Sequence, residues 1–185
     1  YNYLSIFAVI ADLGLYTITV RELTKYEDDQ KMVEKISSNV LTLRTASGLL
    51  ILGLSLAIAP FLSGYDTPTA YIGIVIASLF TLAGLMNSSI MSYLQATLRT
   101  EFSLVANTSG KLLTFGMIVL FASVLYPTSA GVTSEWKFTL VMLAGLVGNI
   151  LMTALTWWYA SRHHRIHFAW DTDYMKHIIR ISLPY

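Results

Sequence analysis

Five apolar stretches, each about as long as a bilayer is thick, dominate the chain. They cover roughly residues 3–20, 40–62, 71–93, 104–126 and 138–159, and a sixth begins near Met175. A helix rising about 1.5 Å per residue needs about 20 residues to cross a hydrocarbon core of about 30 Å. Backbone amides and carbonyls in lipid must be bonded within the protein, so only helices or a closed barrel can span it. Barrel strands are about 10 residues long and alternate apolar with polar side chains. These runs are longer and continuous. The sequence therefore predicts an all-α fold, a polytopic transmembrane helix bundle, as a single unit over residues 1–185.

Composition excludes the alternatives. Only 12% of residues are charged and 55% are hydrophobic, whereas soluble domains carry about 25% charged residues. A soluble fold could not hide this much apolar surface, and a disordered chain would not contain it. The net charge of +1 offers no footprint for nucleic acid. With no cysteine there is neither a disulfide framework nor a thiolate metal site. The first residue is Tyr1 and the last, Tyr185, falls in an apolar stretch, so a fragment of a longer protein is expected. No cleavable signal peptide is visible.

Turn formers separate the runs at Ser63-Gly64-Tyr65-Asp66-Thr67-Pro68 and at Pro127-Thr128-Ser129-Ala130-Gly131. Residues 24–38 are polar, with Met32, Val33 and Ile36 at helical spacing, and read as an amphipathic extension of the second span. Of the twelve lysines and arginines, all but Lys137 fall on one side of the predicted topology. By the positive-inside rule that side is cytoplasmic, and it holds 24–38 and 161–174. The first span then runs from outside to inside, which implies a further helix upstream. The expected location is the cytoplasmic membrane.

Several polar residues lie where lipid would be. Asp12 precedes Arg21 by nine residues, and Arg44 follows Lys35 by nine on the next, antiparallel span. Both are then about 13 Å from the cytoplasmic markers, which predicts neighbours that either pair or share a wet cavity. Lys111 reaches a comparable depth. Snorkelling to the headgroups is the alternative for Arg44 and Lys111, while the short side chain of Asp12 cannot reach far. On the third span Thr81, Ser88, Ser92, Gln95 and Arg99 fall within roughly 60° of one another. They form either the wall of an aqueous path or a packing seam through Gly84, Ser88 and Ser92. The fourth span aligns Asn107, Lys111 and Thr114, and the fifth Gly145, Asn149, Thr153 and Thr156. The substrate-binding candidates are Asp12, Arg44, Ser88, Ser92, Gln95, Asn107, Lys111, Asn149 and Thr153, expected around one shared vestibule.

Other motifs carry less. Asp171-Thr172-Asp173 matches the D-x-D of some glycosyltransferases, but no catalytic domain accompanies it, and it reads as a solvated loop. His163, His164 and His167, beside Arg162 and Arg165, read as a basic juxtamembrane patch on anionic lipid rather than a metal site. Asn87-Ser88-Ser89 and Asn107-Thr108-Ser109 match the glycosylation pattern but lie in or beside spans. There is no phosphate-binding loop, nucleotide fingerprint or H-E-x-x-H, so no cofactor and no enzymatic activity are expected.

Ala11-Asp12-Leu13-Gly14-Leu15 followed by Arg21-Glu22-Leu23, after the aromatic start Tyr1-Asn2-Tyr3, resembles polysaccharide biosynthesis proteins of the oligosaccharide-flippase type. Tyr93-Leu94-Gln95-Ala96-Thr97-Leu98-Arg99 resembles a turn of that family, and Lys111 stands where its members often carry lysine. The superfamily also holds multidrug and toxin extrusion (MATE) antiporters and lipid II flippases. The resemblance implies helices two to six of a protein with twelve or more, most of the N-terminal lobe of a MATE-like two-lobed transporter working by alternating access. It further implies a lipid-linked oligosaccharide as substrate, with sugar hydroxyls on Ser88, Ser92, Gln95, Asn107, Asn149 and Thr153 and phosphate on Arg44 and Lys111. H+ or Na+ coupling through Asp12, and polysaccharide assembly enzymes as partners, are also implied. A cation-coupled multidrug antiporter or a lipid II flippase is the alternative of the same fold. A membrane-embedded glycosyltransferase would need acidic residues grouped outside, where only Asp66 and Glu135 are found. A non-transporting scaffold would keep its polar stripes packed and dry.

Overall fold

A computed structural model describes residues 6–7, 15–26, 28–61, 67–98, 100–125, 134–162 and 167–182. Among the described residues these helices follow one another: α1 (Leu15–Lys25), α2 (Gln30–Ile58), α3 (Pro68–Ala96), α4 (Thr100–Leu120), α5 (Ser134–Ser161) and α6 (Thr172–Ser182). A 3-10 turn (Ala59–Phe61) ends α2, a π turn (Phe121–Leu125) ends α4, and no strand occurs among the described residues. Four segments are long and apolar enough to cross a membrane: Gln30–Phe61, Pro68–Ala96, Thr100–Ser123 and Trp136–Ser161. They match the second to fifth predicted spans. Most of the first span, and both loops rich in turn formers apart from Thr67 and Pro68, lie outside the described residues.

The apolar surface is arranged for lipid. Leu50, Leu104, Phe115 and Trp136 are each at least 65% exposed. Water-soluble monomers rarely present large contiguous apolar faces, whereas a bundle in a bilayer must.

Local chemistry sets the helix boundaries. The Asp29 carboxylate accepts the Lys31 and Met32 amides at 3.1 Å and starts α2 ten residues before its apolar run. Val33 and Ile36 are buried and Met32 packs beside them, so the amphipathic extension exists. Its first residues, however, belong to the end of α1. Thr67 caps α3 by accepting the Ala70 amide at 3.3 Å, and Pro68 fills the first turn, where its missing N–H costs no bond. Between α3 and α4, Leu98 adopts φ 55°, a left-handed conformation that glycine usually supplies at helix ends.

Helix α3 is central. It packs on α1 and α2 on one side and on α5 on the other, while α4 packs chiefly on α5. Leu23, Val33, Ile36, Ile90 and Tyr93 form the main apolar cluster, joined by Trp157 and Tyr174. Helices α4 and α5 cross through glycines. A Cβ on Gly110 would stand 2.6 Å from the Gly148 carbonyl oxygen and 2.8 Å from the Met152 Cβ. Side chains at that crossing would drive the backbones apart.

Residues 167–171 run extended along α2. Their alternate amides donate to its side chains: His167 to Ser38 Oγ at 3.2 Å, Ala169 to Thr42 Oγ1 at 3.0 Å and Asp171 to Asn39 Oδ1 at 2.7 Å. Asp171 then starts α6, accepting the Tyr174 amide at 3.1 Å and pairing with Lys35 Nζ at 2.7 Å. Its bond to Lys35, and then the Tyr174 amide, hold this carboxyl below the ordinary 3.8. Asp171-Thr172-Asp173 is thus a helix start rather than the loop expected from sequence, because a carboxylate there satisfies the first amides of α6. Met175 and Ile178 are buried while Lys176, His177 and Arg180 are exposed. The described part of α6 is therefore amphipathic and lies on α1 and α2. Its Tyr174 hydroxyl is pushed to a higher pKa, first by burial and then by Glu22.

Candidate functional site

Arg44 stands at the midpoint of α2 and is fully buried. A guanidinium cannot shed its charge, so burial requires hydrogen-bond acceptors around it. Helix α3 supplies them. Arg44 Nη1 donates to Ser88 Oγ at 2.8 Å and to Ser89 Oγ at 3.4 Å. Both serine hydroxyls donate in turn to the Leu85 carbonyl, at 2.9 and 3.0 Å. With their protons placed there, their lone pairs face the cation.

Helix α1 closes the cluster. The Tyr16 ring lies 6.0 Å from the Arg44 guanidinium carbon, within cation–π range. The Tyr16 hydroxyl donates to Gln95 Oε1 of α3. Arg44, predicted from its depth, and Ser88 and Gln95, predicted from the polar stripe on the third span, are thus brought together in one cluster with Tyr16. Tyr16 and Ser89 were not among the candidates. Tyr16 follows Asp12 by four residues and so shares its helical face, a signal the sequence did contain. Asp12 and Arg99, and the predicted Asp12–Arg44 neighbourhood with them, lie outside the described residues, as do His163, His164 and Arg165.

The other candidates stand elsewhere. Ser92 is fully buried and donates to the Ser89 carbonyl at 2.7 Å. Asn149 and Thr153 of α5 reach across to α3, donating to the Phe80 carbonyl at 2.7 Å and the Ala83 carbonyl at 3.1 Å. The predicted stripe on α3 is divided accordingly: Ser88 faces α2, while a Cβ on Gly84 would stand 3.8 Å from Asn149 Nδ2 of α5. Asn107 donates to Ser103 Oγ at 3.3 Å and lines a groove of about 500 Å³ with Met91, Glu101 and Leu104. Lys111 is exposed and lines a separate cavity of about 360 Å³ between α4 and α5.

The single vestibule expected from sequence is therefore corrected. Among the described residues the candidates form an α1–α2–α3 cluster around Arg44, an α3–α5 seam and two grooves beside α4. The reason is packing: α2 lies chiefly on α3 and α4 chiefly on α5, so residues at similar depth need not meet. Among the described residues no group of three or more His, Asp or Glu is placed to hold a metal ion.

The Arg44 cluster can hold an anion by charge-assisted hydrogen bonds and offers hydroxyl and amide partners to a polar head group. The chain matches over residues 1–185 a family model described as polysaccharide biosynthesis protein. No curated protein and no solved structure matches it. With membrane-length helices around a buried polar cluster and a match from end to end, the chain belongs to the polysaccharide biosynthesis protein family.

Proposed function

We propose that the protein is part of a flippase that moves a lipid-linked oligosaccharide across the cytoplasmic membrane by alternating access. The buried Arg44 on Ser88 and Ser89 carries the reading. Burying a fixed charge in a membrane bundle costs several kcal/mol. Hydrophobic residues of similar volume often pack a buried position at least as well as a charge does, so an arginine here suits a protein that must meet an anion. A lipid-linked glycan has such an anion, its phosphate or pyrophosphate, beside a hydroxyl-rich head that cannot cross hydrocarbon unaided.

In this state Arg44 is sealed beneath Tyr16, whose hydroxyl is tied to Gln95. Phosphate reaches the guanidinium when α1 and α3 part at that bond. Gln95, Ser88 and Ser92 then offer partners for sugar hydroxyls, with Asp12 orienting Arg44 or binding a coupling H+ or Na+. Asn149 and Thr153 hold α5 to α3 and steady the wall. Enzymes of polysaccharide assembly are the expected partners on either side. The full-length protein in proteoliposomes with a lipid-linked oligosaccharide tests the reading. Neutralising Arg44 and Lys111 together (R44Q with K111Q) is expected to lower translocation at least about ten-fold with normal membrane insertion. Unchanged glycan translocation would overturn it.

A further inference from the structure

A polar stripe on α2 stands apart from the Arg44 cluster. Lys35, Ser38, Asn39 and Thr42 recur at helical spacing and so share one face. Each has a partner in residues 167–171, the strap that leads into α6. Ser38, Thr42 and Asn39 accept the His167, Ala169 and Asp171 amides, and Lys35 pairs with the Asp171 carboxylate. The acceptors are oriented for this. Thr42 Oγ1 donates to the Ser38 carbonyl at 2.9 Å and Asn39 Nδ2 to the Lys35 carbonyl at 2.8 Å. With those protons placed, the Thr42 lone pairs and the Asn39 carbonyl oxygen face the strap.

The strap is held by its backbone more than by its side chains. Phe168 and Trp170 are 54% and 68% exposed, and the Lys35–Asp171 pair is partly open to solvent. Contacts of these kinds are individually weak, because water competes for the same groups. A docking made of them can be undone without breaking the apolar core. What the strap delivers is α6, which lies on both α1 and α2. Its Tyr174 joins Leu23 of α1 and Val33 and Ile36 of α2 in one apolar cluster, with the ring 5.7 Å from Lys35 Nζ. About 10 Å before Leu23 on α1 stands Tyr16, which covers Arg44.

We propose that the strap and α6 form a releasable clamp across α1 and α2, which holds Tyr16 over Arg44 and so controls access to the Arg44 cluster. An element that touches both helices favours the state in which they lie together, and weakening it favours their separation. Only the consequence for transport rests on the flippase reading. The sealing of the cluster does not.

The test uses full-length protein in nanodiscs with a reporter cysteine at Thr19, against protein without it. Thr19 is fully buried on α1 and its hydroxyl bonds within its own helix, to the Leu15 carbonyl. Thr19→Cys should therefore meet a water-soluble thiol reagent only when α1 lifts. K35Q with T42V removes the ion pair and one amide acceptor and should speed labelling at least about five-fold. K35R with T42S keeps both and should stay within about two-fold of the parent. Gly148→Ala, which loosens the α4–α5 crossing, controls for general destabilisation and should also stay within about two-fold. Coupling must show from the other end as well: Tyr16→Phe, which breaks the bond to Gln95, should speed hydrogen exchange of the strap amides at least about two-fold. Tyr16→Phe leaves the strap contacts intact, so it decides alone if K35Q with T42V does not insert. Unchanged labelling in K35Q with T42V, equal acceleration by Gly148→Ala, or strap exchange indifferent to Tyr16→Phe would overturn the clamp. If K35Q with T42V speeds labelling while the parent protein translocates no glycan, the flippase reading fails and the clamp stands. If translocation is present and labelling ignores the strap, the reverse holds.

Discussion

Two serines one turn apart on α3, Ser88 half-buried and Ser92 fully buried, illustrate how differently the same residue type can serve. Ser88 accepts from the Arg44 guanidinium, whereas Ser92 bonds only within its own helix, to the Ser89 carbonyl. Removing the Ser88 hydroxyl deprives a buried charge of an acceptor, and Ser88→Ala should cost about 2 kcal/mol. Ser92→Ala should cost under about 1 kcal/mol, because no cation loses a partner. Denaturation midpoints in one detergent compare the two, and equal losses would deny Ser88 its role. Asp171 gives a second prediction. Its pKa is depressed in the folded protein by Lys35 and the Tyr174 amide. A depressed carboxyl stabilises the folded form above its unfolded value, near 3.8, and that contribution fades as pH falls through the folded value. Hydrogen exchange at Tyr174 and Asp171, corrected for its intrinsic pH dependence, should show the start of α6 loosening below about pH 4. Asp171→Asn should loosen it at neutral pH.

Helix pairs are held by contrasting means. Between α3 and α5 the bonds are polar, from Asn149 and Thr153 to backbone carbonyls. Between α4 and α5 contact depends on the absence of side chains. A Cβ on Gly148 would collide with Thr114 and come within 2.6 Å of the Gly110 carbonyl oxygen, whereas Gly145 has room. Gly148→Ala should therefore destabilise the bundle by about 2–3 kcal/mol, the cost of overpacking. Gly145→Ala should change it by less than about 1 kcal/mol. Similar thermal midpoints for the two variants would contradict this crossing. Helix α6 shows a further means: three backbone amides of the preceding strap lie on Ser38, Asn39 and Thr42 of α2.

For the molecule in its bilayer, the charge bias predicts direction: eleven of the twelve lysines and arginines fall on the predicted cytoplasmic side. Residues 1–185 contain no cysteine, so single cysteines introduced among them can be compared with the unsubstituted protein as the labelling background. Cysteines at Asp28 and Arg162 should be labelled by a membrane-impermeant thiol reagent only in inside-out vesicles. Those at Thr67 and Lys137 should be labelled in intact cells. The opposite pattern would invert the topology and place the Arg44 cluster nearer the outer leaflet.

The apolar runs and their turn residues were enough to establish an all-helical membrane bundle and its membrane-length helices, because bilayer thickness and backbone bonding leave few other structures. Depth along each span follows from counting at a fixed rise per residue. Azimuth does not. Periodicity placed Thr81, Ser88, Ser92 and Gln95 on one side of α3, but not which neighbour each would meet. That depended on how α1, α2 and α5 share the surface of α3, and it separated Ser88, on Arg44, from Gly84, beside α5. Likewise Lys111 is expected at a depth comparable with that of Arg44, but it lies on a helix that packs chiefly against α5. Whether two polar side chains meet depends on side-chain shape complementarity between helices distant in sequence, and hydrophobic periodicity carries no record of it.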